Sequence, residues 1–383
     1  MIKVIRTIHP VGQGGFYTET ISTHSGTYTV VYDCGGNSIK SMERYLREEY
    51  LCREPSGKKK EIAAVFISHL HADHVNGLAY LLKHANVRLL VLPQLTEEMM
   101  LEAFVYNDCF GVAGGKDANR LILDLYRAAG NGYLGETRVS QIAPAGPDDS
   151  INIELEEGGL NLNNPSSIDR EIKSGACFHL DYQWMFIPYN PPVKGDRNQL
   201  ANKLSEGLEA TAPITLRTLP SLIQDKQKTD LCRSIYEQVF GKNHNSYSMT
   251  LFSGTRYPNQ FKRLPTRMSW PFMCFECLDC IGLYPNCLYT GDFEPHSFIG
   301  KLIRFYDPLW ETIHSIQVPH HGSRKNYNEK FYKHARLGFV SVGERNRHRH
   351  PNIDVLIKIY RQQCLPIVVT ESKMTKMEFC FED

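Results

Sequence analysis

A cluster of ionisable residues between an apolar run and an amphipathic segment constrains this chain more than any other sequence feature. Residues 63–67 form a continuous apolar run, which predicts a short strand buried on both faces. Apolar residues then recur at helical spacing over 75–82. The segment between them (residues 68–74, here called the motif loop) contains His69, His71, Asp73 and His74. Catalytic groups of α/β folds usually lie in such loops, so we expect an α/β protein with a site at this strand end.

The spacing within the motif loop favours metal binding. Residues two apart in an extended segment point the same way, so His69 and His71 can hold one cation. Asp73 and His74 can turn towards a second cation. Imidazole and carboxylate together suit zinc or manganese better than magnesium or calcium, which predicts two divalent ions, Zn²⁺ or Mn²⁺. The alternative is a set of ordinary surface histidines, but such groups do not crowd after a buried strand without compensation.

Two aspartates follow other apolar runs. Asp292 comes directly after the run 287–290 and Gly291, where its carboxylate could bridge two cations. The alternative is an N-cap for the helix predicted from residue 296. Asp33 is predicted to orient a ligand histidine by accepting its second ring N–H, and its alternative is a simple turn residue.

Histidines also follow two predicted strands in the last part of the chain. His320 and His321 come after the strand predicted over 313–318. One could complete a metal shell, while the other, or Ser323, contacts substrate; the alternative is a polar turn. The strand predicted over 337–342 leads into a basic segment that contains Arg345, Arg347, Arg349 and His350. The arginines are either substrate-binding or part of a solvated loop.

A group of cysteines suggests a separate structural zinc site. Cys274, Cys277 and Cys280 are spaced by two residues, with Cys287 beyond them, and this spacing resembles thiolate ligation of zinc. Against it, the segment is aromatic and strand-like, and no second cysteine pair follows at the usual distance. The structural zinc is therefore the less favoured reading of these cysteines.

Composition narrows the class of protein. The 383 residues have a net charge of +1, which excludes a globally basic nucleic-acid coat but leaves room for a local basic groove. The chain has no apolar run of 18 residues and no secretory signal, so we expect no membrane association and a cytoplasmic location with reduced thiols. We expect a core formed by residues 1–93 and 243–383, with 94–242 supplying core elements plus a large insertion or cap.

These residues together resemble the metallo-β-lactamase superfamily, and most closely the ComEC-like soluble hydrolase domain of bacterial DNA-uptake proteins. The matching segments are Val11-Gly12-Gln13-Gly14, the motif loop, Asn245-Ser246, His320-His321-Gly322-Ser323, and Asn346 with His350-Pro351. The resemblance implies an αββα sandwich with an inserted segment and a two-metal site at one edge of the paired sheets. It also implies hydrolysis, often of phosphodiesters.

The chain departs from that family in two ways. Many members have a further metal-binding histidine before the bridging aspartate, but here only His244 or His179 lies in that region, neither in a convincing motif. Asn245 marks the place where that histidine is absent, as in the ComEC-like group. The membrane channel of the uptake proteins is missing, so transport does not carry over. Chain order favours His320 as the last metal ligand, with His321 and His350 kept as alternatives.

The resulting expectation is a phosphodiesterase or nuclease that attacks nucleic acid or a nucleotide with a hydroxide activated by two metal ions. The expected roles are metal binding by His69, His71, Asp73, His74, Asp292 and His320; catalysis by Asp73, His321 and His350; and substrate binding by Asn245, Ser323, Arg345, Asn346 and Arg347. The arginines of the basic segment after residue 342 favour a phosphodiester over a neutral substrate. The alternatives are an ester, lactone or thioester hydrolase, and a non-catalytic, metal-stabilised partner-binding or sensor protein.

Overall fold

A computed structural model gives the arrangement of most of the chain. The structure describes residues 1–52, 57–110, 115–151, 159–192, 198–210, 212–223, 225–240, 248–264, 282–346 and 349–383. No helix within these ranges is long and apolar enough to cross a membrane.

Twenty strands lie among the described residues, and most of them are short. In chain order they are β1 (Lys3–Ile8), β2 (Phe16–Thr23), β3 (Gly26–Cys34), β4 (Glu61–Ile62), β5 (Ala64–Phe66), β6 (Asn86–Val87), β7 (Leu89–Pro93), β8 (Tyr133–Leu134), β9 (Thr137–Ile142), β10 (Leu160–Asn161), β11 (Glu171–Ile172), β12 (Phe178–Leu180), β13 (Trp184–Tyr189), β14 (Thr250–Gly254), β15 (Lys262–Leu264), β16 (Cys287–Tyr289), β17 (Ser315–Gln317), β18 (Leu337–Ser341), β19 (Leu365–Val369) and β20 (Met377–Glu382).

The α-helices of the described residues alternate with these strands. They are α1 (Ile39–Tyr45), α2 (Ala72–Val75), α3 (Leu78–His84), α4 (Glu97–Cys109), α5 (Gly115–Asn131), α6 (Asn198–Gly207), α7 (Leu219–Leu222), α8 (Lys226–Phe240), α9 (Pro295–Phe305), α10 (Asp307–Trp310) and α11 (Ile353–Arg361). The Ser38 side chain caps the start of α1, and the helix passes into a π-helical turn over Leu46–Tyr50.

Two large sheets contain most of the strands. The first has the order β11-β9-β7-β5-β3-β2-β1-β20-β15, with β8 paired to β9. The second has the order β10-β12-β13-β14-β16-β17-β18-β19. Neighbouring strands run parallel from β3 through β5 and β7 to β9, and from β16 to β19. The carboxyl ends of each parallel set therefore meet at one edge of its sheet, where sites of open α/β sheets form.

The two sheets pack face to face, and helices cover both outer faces. Phe66 of β5 contacts Phe178 and Phe186 of the second sheet, with ring centroids 5.3 and 5.9 Å apart. Val65, between two residues of this inner layer, instead joins the apolar cluster formed with the helices. A strand buried on both faces explains the continuous apolar run. The predicted αββα sandwich is confirmed.

Helices α4, α5, α6 and α8, here called the helical cap, lie between residues 94 and 242 and pack on the outer face of the first sheet. The same stretch also supplies strands to both sheets, such as β9 and β13. Strand β9 and the C-terminal strand β20 are among the strands that the sequence analysis did not predict. Strand β20 pairs with β1 and so joins the two ends of the chain in one sheet.

A buried polar network lies between the sheets. Arg6 of β1 donates from Nε to Oε1 of Glu19 on β2 over 2.8 Å, and both side chains are almost fully buried. Glu19 also accepts hydrogen bonds from Tyr289, Trp184 and Ser253 of the second sheet, at 2.8, 3.1 and 2.6 Å. One carboxylate therefore neutralises Arg6 and ties the two sheets together.

Replacing this carboxylate is expected to destabilise the fold strongly. Glu19→Gln should lower the free energy of unfolding by about 3–5 kcal/mol, because the Arg6 guanidinium would stay buried without its counter-charge. Denaturant unfolding followed by tryptophan fluorescence measures this. Glu48→Gln is the matched control, because Glu48 pairs with Arg47 on the exposed surface, and it should leave the midpoint nearly unchanged. Equal effects of the two variants would contradict the structural role of Glu19.

Candidate metal centre

The ends of four strands bring the predicted site residues together at one edge of the sandwich. Asp33 is the penultimate residue of β3, and the motif loop follows β5, the neighbour of β3 in the same sheet. Asp292 follows β16 and His321 follows β17, which are neighbours in the second sheet. Packing one sheet on the other therefore places the motif loop opposite the two later segments.

Six buried side chains form two groups with the composition of a metal site. The first group is His69, His71 and Asp292, and the second is Asp73, His74 and His321; within each group the potential ligand atoms lie within 4.8 Å of one another. Each group combines imidazole and carboxylate, the donors that zinc and manganese accept.

Asp292 lies between the two groups. Its Oδ2 is 3.8 Å from Nε2 of His69, whereas its Oδ1 is 3.3 Å from Nε2 of His74 and 3.5 Å from Nε2 of His321. The two carboxylate oxygens therefore face different groups. In this position, Asp292 could contribute one oxygen to each of two ions.

The histidine ring nitrogens show that these residues fit metal ions. Nε2 of His69, His74 and His321 is buried and makes no hydrogen bond within the described residues. The opposite ring nitrogen is fixed in each case. Nδ1 of His74 lies 2.8 Å from Oδ2 of Asp33, and Nδ1 of His321 lies 2.9 Å from the carbonyl oxygen of Ser341. Because these partners only accept, Nδ1 carries a proton, and Nε2 is the atom that would offer its lone pair to an ion.

The same logic applies to His69 through a serine. The Ser68 hydroxyl donates to Oδ2 of Asp33 over 2.8 Å, so its oxygen is left to accept from Nδ1 of His69, 2.9 Å away. The lone pair of the neutral His69 ring is then on Nε2, the atom that faces Asp292. Asp33 thus contacts His74 directly and His69 through Ser68. These are the contacts that its predicted role requires, and the role itself stays a prediction.

Burial and charge set the protonation of the groups. Burial lowers the pKa of His71 to about 3 and that of His69 well below its usual value, so both imidazoles are neutral ligand forms. Burial also lowers the pKa of His74, but the surrounding carboxylates, Asp292 foremost, outweigh it and raise that pKa well above the usual value. A divalent cation would replace this proton as the counter-charge, since metal binding releases protons from its ligands.

His320 and His350 lie at the rim of the centre. The His320 side chain is 27% exposed, with Nε2 3.9 Å from Oδ2 of Asp292, and its ring centroid is 5.8 Å from that of His350. The sequence analysis favoured His320 as the last ligand and kept His321 and His350 as alternatives; of the three, His321 is the one grouped with Asp73 and His74. His320 and His321 both have left-handed backbone angles, φ 48° and 52°, and this turn directs the His321 imidazole inwards.

The other predicted substrate residues have varied positions. Asn346 holds its own loop, because its amide donates to the carbonyl oxygens of Gly343 and His350 and accepts from the His350 N–H. Arg345 is exposed on the same loop. Ser323 is buried, and its backbone N–H donates to the His320 carbonyl oxygen. The Asn346 side chain therefore bonds within its own loop, and the substrate contact expected of it stays a prediction.

Several predicted residues lie outside the described residues: Asn245, Arg347, Cys274, Cys277 and Cys280. Cys287 is described, and it is buried within β16 between the sheets. Burial raises the pKa of its thiol to about 12, which opposes the thiolate form that zinc requires. Its position therefore gives no support to a structural zinc site.

Three residues that contact the centre were missed by the sequence analysis. Ser248 accepts from the Asp292 N–H over 2.9 Å and lies 3.1 Å from Nδ1 of His69. Tyr106 stacks on the His71 ring, and Asn107 hydrogen-bonds to the backbone on both sides of His71. They are far from the motif loop in sequence, so no spacing pattern linked them to it.

Comparison with known families agrees with this geometry. Residues 21–158 match the family described as Metallo-beta-lactamase superfamily. This part of the chain is thus similar to a metallo-β-lactamase superfamily domain. The matched segment includes Asp33 and the motif loop, while Asp292 and His321 come from the part of the chain beyond it. This fold is typically hydrolytic and binds divalent metal ions.

Several solved structures resemble the chain at low identity. A diphosphatase from the PhnP family is 11% identical over 99% of both chains, with a TM-score of 0.37. A beta-lactamase domain protein from Burkholderia ambifaria is 15% identical over 49% of this chain and 45% of its own, with a TM-score of 0.23. The metallo-β-lactamase MIM-1 from Novosphingobium pentaromativorans is 10% identical over 96% and 85%, with a TM-score of 0.28. TM-scores this low support no conclusion about activity.

Among curated proteins, no sequence matches the chain.

Removing the carboxylate behind His74 is expected to weaken metal binding. Asp33→Asn keeps the side-chain shape and suits the left-handed φ of 56°, but it loses the charge that fixes His74. The affinity for Zn²⁺ should fall roughly 10–100-fold in competition with a chromophoric chelator. Asp181→Asn is the control, since Asp181 also has a left-handed φ, of 51°, but lies in the turn between β12 and β13. An unchanged affinity in Asp33→Asn would show that this contact does not tune the site.

Proposed function

We propose that the protein is a metal-dependent phosphodiesterase or nuclease that works with two divalent ions, zinc or manganese. The observation that carries the proposal is the placement of the Asp292 carboxylate between two groups of buried ligands, with one oxygen facing each group. One ion position belongs to His69, His71 and Asp292. The other belongs to Asp73, His74 and His321, with Asp292 shared.

Two bound ions would supply a polarised water and neutralise charge on the phosphoryl oxygens during in-line displacement. The protein contributes orientation. Asp73 is the most exposed of the three carboxylates, at 14% for its side chain, against 0% for Asp33 and 4% for Asp292. In our proposal one of its oxygens accepts a hydrogen bond from the attacking water and fixes the direction of attack.

Two histidines at the rim are placed to act on the leaving group and on the phosphoryl oxygens. His350 adjoins His320 at the mouth of the centre, and neither is among the six grouped ligands. We assign to the His350 imidazole the transfer of a proton to the leaving oxygen, and to His320 a hydrogen bond to a phosphoryl oxygen. His321, with its Nε2 directed at Asp73 and Asp292, moves from the expected acid to a ligand.

The charge around the centre supports an anionic substrate. The cationic groups of the rim are the exposed Arg345 and Arg349, on the loop that also carries His350 next to His320. A cationic rim of this kind attracts phosphate and provides nothing for a neutral lactam or thioester. We therefore favour nucleic acid or a nucleotide phosphodiester as the substrate class.

The finer points of the sequence analysis belong to the same proposal. They are the ComEC-like subtype, a cytoplasmic location, and a division into a core of residues 1–93 and 243–383 with 94–242 as core elements plus an inserted cap. The ComEC-like subtype is supported by the motif loop and by His350-Pro351 at the rim. Asn245, the other residue that marks this subtype, lies outside the described residues.

Two histidine variants test the assignment of roles. His321→Ala should lose one bound ion and lower kcat/KM for bis-p-nitrophenyl phosphate by at least about 100-fold, because the loss of a ligand exceeds that of an outer contact. His350→Ala should keep both ions and lower kcat by about 100-fold, because it removes only the proton donor. Metal content by elemental analysis and steady-state kinetics separate these outcomes. His24→Ala, at an exposed histidine in the β2–β3 turn, is the control.

Assays on single-stranded DNA, RNA and small esters then decide the substrate class. The proposal predicts cleavage of at least one phosphodiester, abolished by chelation. A metal-loaded protein that hydrolyses p-nitrophenyl acetate or a lactone but no phosphodiester would overturn the proposed substrate. A metal-loaded protein inert to all of them would point to a binding or sensor role.

A further inference from the structure

One side chain of the helical cap holds the backbone around a metal-binding candidate. Asn107, in the last turn of α4, accepts from the Ala72 N–H at Oδ1 over 2.8 Å and donates from Nδ2 to the Leu70 carbonyl oxygen over 3.0 Å. These two peptide groups lie on either side of His71. Asn107 is 3% exposed, so water does not compete for either bond. A single amide therefore fixes the path of the chain through His71.

The neighbouring residue of α4 contacts the His71 ring. The rings of Tyr106 and His71 are stacked, with centroids 3.8 Å apart and an angle of 16° between planes. His71 is 5% exposed. Backbone and ring of this ligand candidate are thus both positioned by one turn of one helix. His69, His74 and His321 are positioned differently, since their Nδ1 atoms bond to groups of the sandwich itself.

The contacts of Asn107 and Tyr106 with His71 and its peptide groups, here called the clamp, depend on packing within the helical cap. Asn107 Nδ2 also contacts Oδ1 of Asn119 on α5 at 3.3 Å, and Asn119 donates to the Phe104 carbonyl oxygen of α4 over 3.1 Å. From α8, Arg233 donates to the Cys109 carbonyl oxygen over 3.1 Å, and the Tyr236 hydroxyl donates to Glu102 over 2.9 Å. The position of α4, and with it Asn107, is set by the packing of the cap.

We propose that Asn107 is a positioning residue for the first ion position, through which the helical cap controls how tightly that position holds its ion. The inference rests on the proposed function, in that the two ligand groups bind ions. His71 contributes one of the two imidazoles of the first group, so misplacing it leaves one well-oriented imidazole and the shared Asp292. The hydrogen bonds of the Asn107 amide reach the peptide groups beside His71 and the Asn119 side chain but no side chain of the second group. We therefore expect the affinity of the second position to change little.

Titration of the metal-free full-length chain with Zn²⁺ against a chelating indicator tests this. The unaltered protein should bind two ions. Asn107→Ala should bind one ion with unchanged affinity and the other roughly 10–100-fold more weakly, the range for loss of a contact that orients a ligand. The weakened step should be the one that His71→Ala removes. Titration with Co²⁺ should show the altered visible spectrum at that same step.

Asn286→Ala is the matched control. Like Asn107, the buried Asn286 accepts from one backbone N–H and donates to one backbone carbonyl oxygen, here both of Thr255, but it lies at the end of β16 opposite to Asp292. We expect comparable thermal destabilisation of both variants, with ion affinity in Asn286→Ala within about threefold of the unaltered protein. Excess Zn²⁺ should restore hydrolysis in Asn107→Ala and should fail to restore it in His71→Ala.

Two unchanged Zn²⁺ affinities in folded Asn107→Ala, or equal weakening of both steps, would overturn the inference. Should Asn107→Ala fail to fold, Asn107→Ser decides the matter, because it keeps a small polar side chain that cannot span both peptide groups. Failure of the proposed reaction gives a different result: the unaltered protein would then bind two ions but leave every phosphodiester intact, while the clamp remained measurable.

Discussion

The centre depends on compensation of buried charge. Asp33, Asp73 and Asp292 are gathered with four imidazoles at one end of the sandwich, where burial alone would make their ionised forms costly. Without an ion, protons on His74 and His321 supply the counter-charge, and the pKa of both is raised. Divalent cations satisfy the same need without protons. The fit of this centre to cations therefore follows from how the fold places the donors, independently of any resemblance.

The sandwich makes this gathering possible because it joins two parallel strand sets. One set delivers Asp33 and the motif loop, and the other delivers Asp292 and His321. Neither sheet alone completes either ligand group, since Asp292 and His321 come from the second sheet and the remaining ligands from the first. The Arg6–Glu19 network ties the same two sheets together. Stability of the sheet pairing and integrity of the centre are thus linked.

The helical cap extends this dependence beyond the sandwich. Through Asn107 it holds the peptide groups on either side of His71, so a segment with no ligand of its own bears on the centre. The rim is formed by the loops after β17 and β18, which carry cationic groups above the ligands. Ion binding, ligand orientation and substrate attraction are in this way divided among three parts of the chain.

Local patterns in the sequence were sufficient for the fold class and for most ligand candidates. A buried strand followed by His-x-His-x-Asp-His predicts where donors lie, because strand ends and residue spacing fix their direction within a few residues. Asp33 and Asp292 could be found in the same way, since each follows an apolar run. The predicted sandwich followed from the resemblance that these residues carry.

Only the tertiary structure decided which histidine faces inwards after β17 and which residues support the motif loop. His320 and His321 are adjacent and chemically identical, and the left-handed turn that orients them has no signature in their spacing. Asn107 and Ser248 act across separations of 35 and 179 residues, where contact depends on how sheets and helices pack. The sequence by itself determined the local supply of ligands, whereas their selection and orientation required the packing of distant elements, because hydrogen bonds and burial act through space.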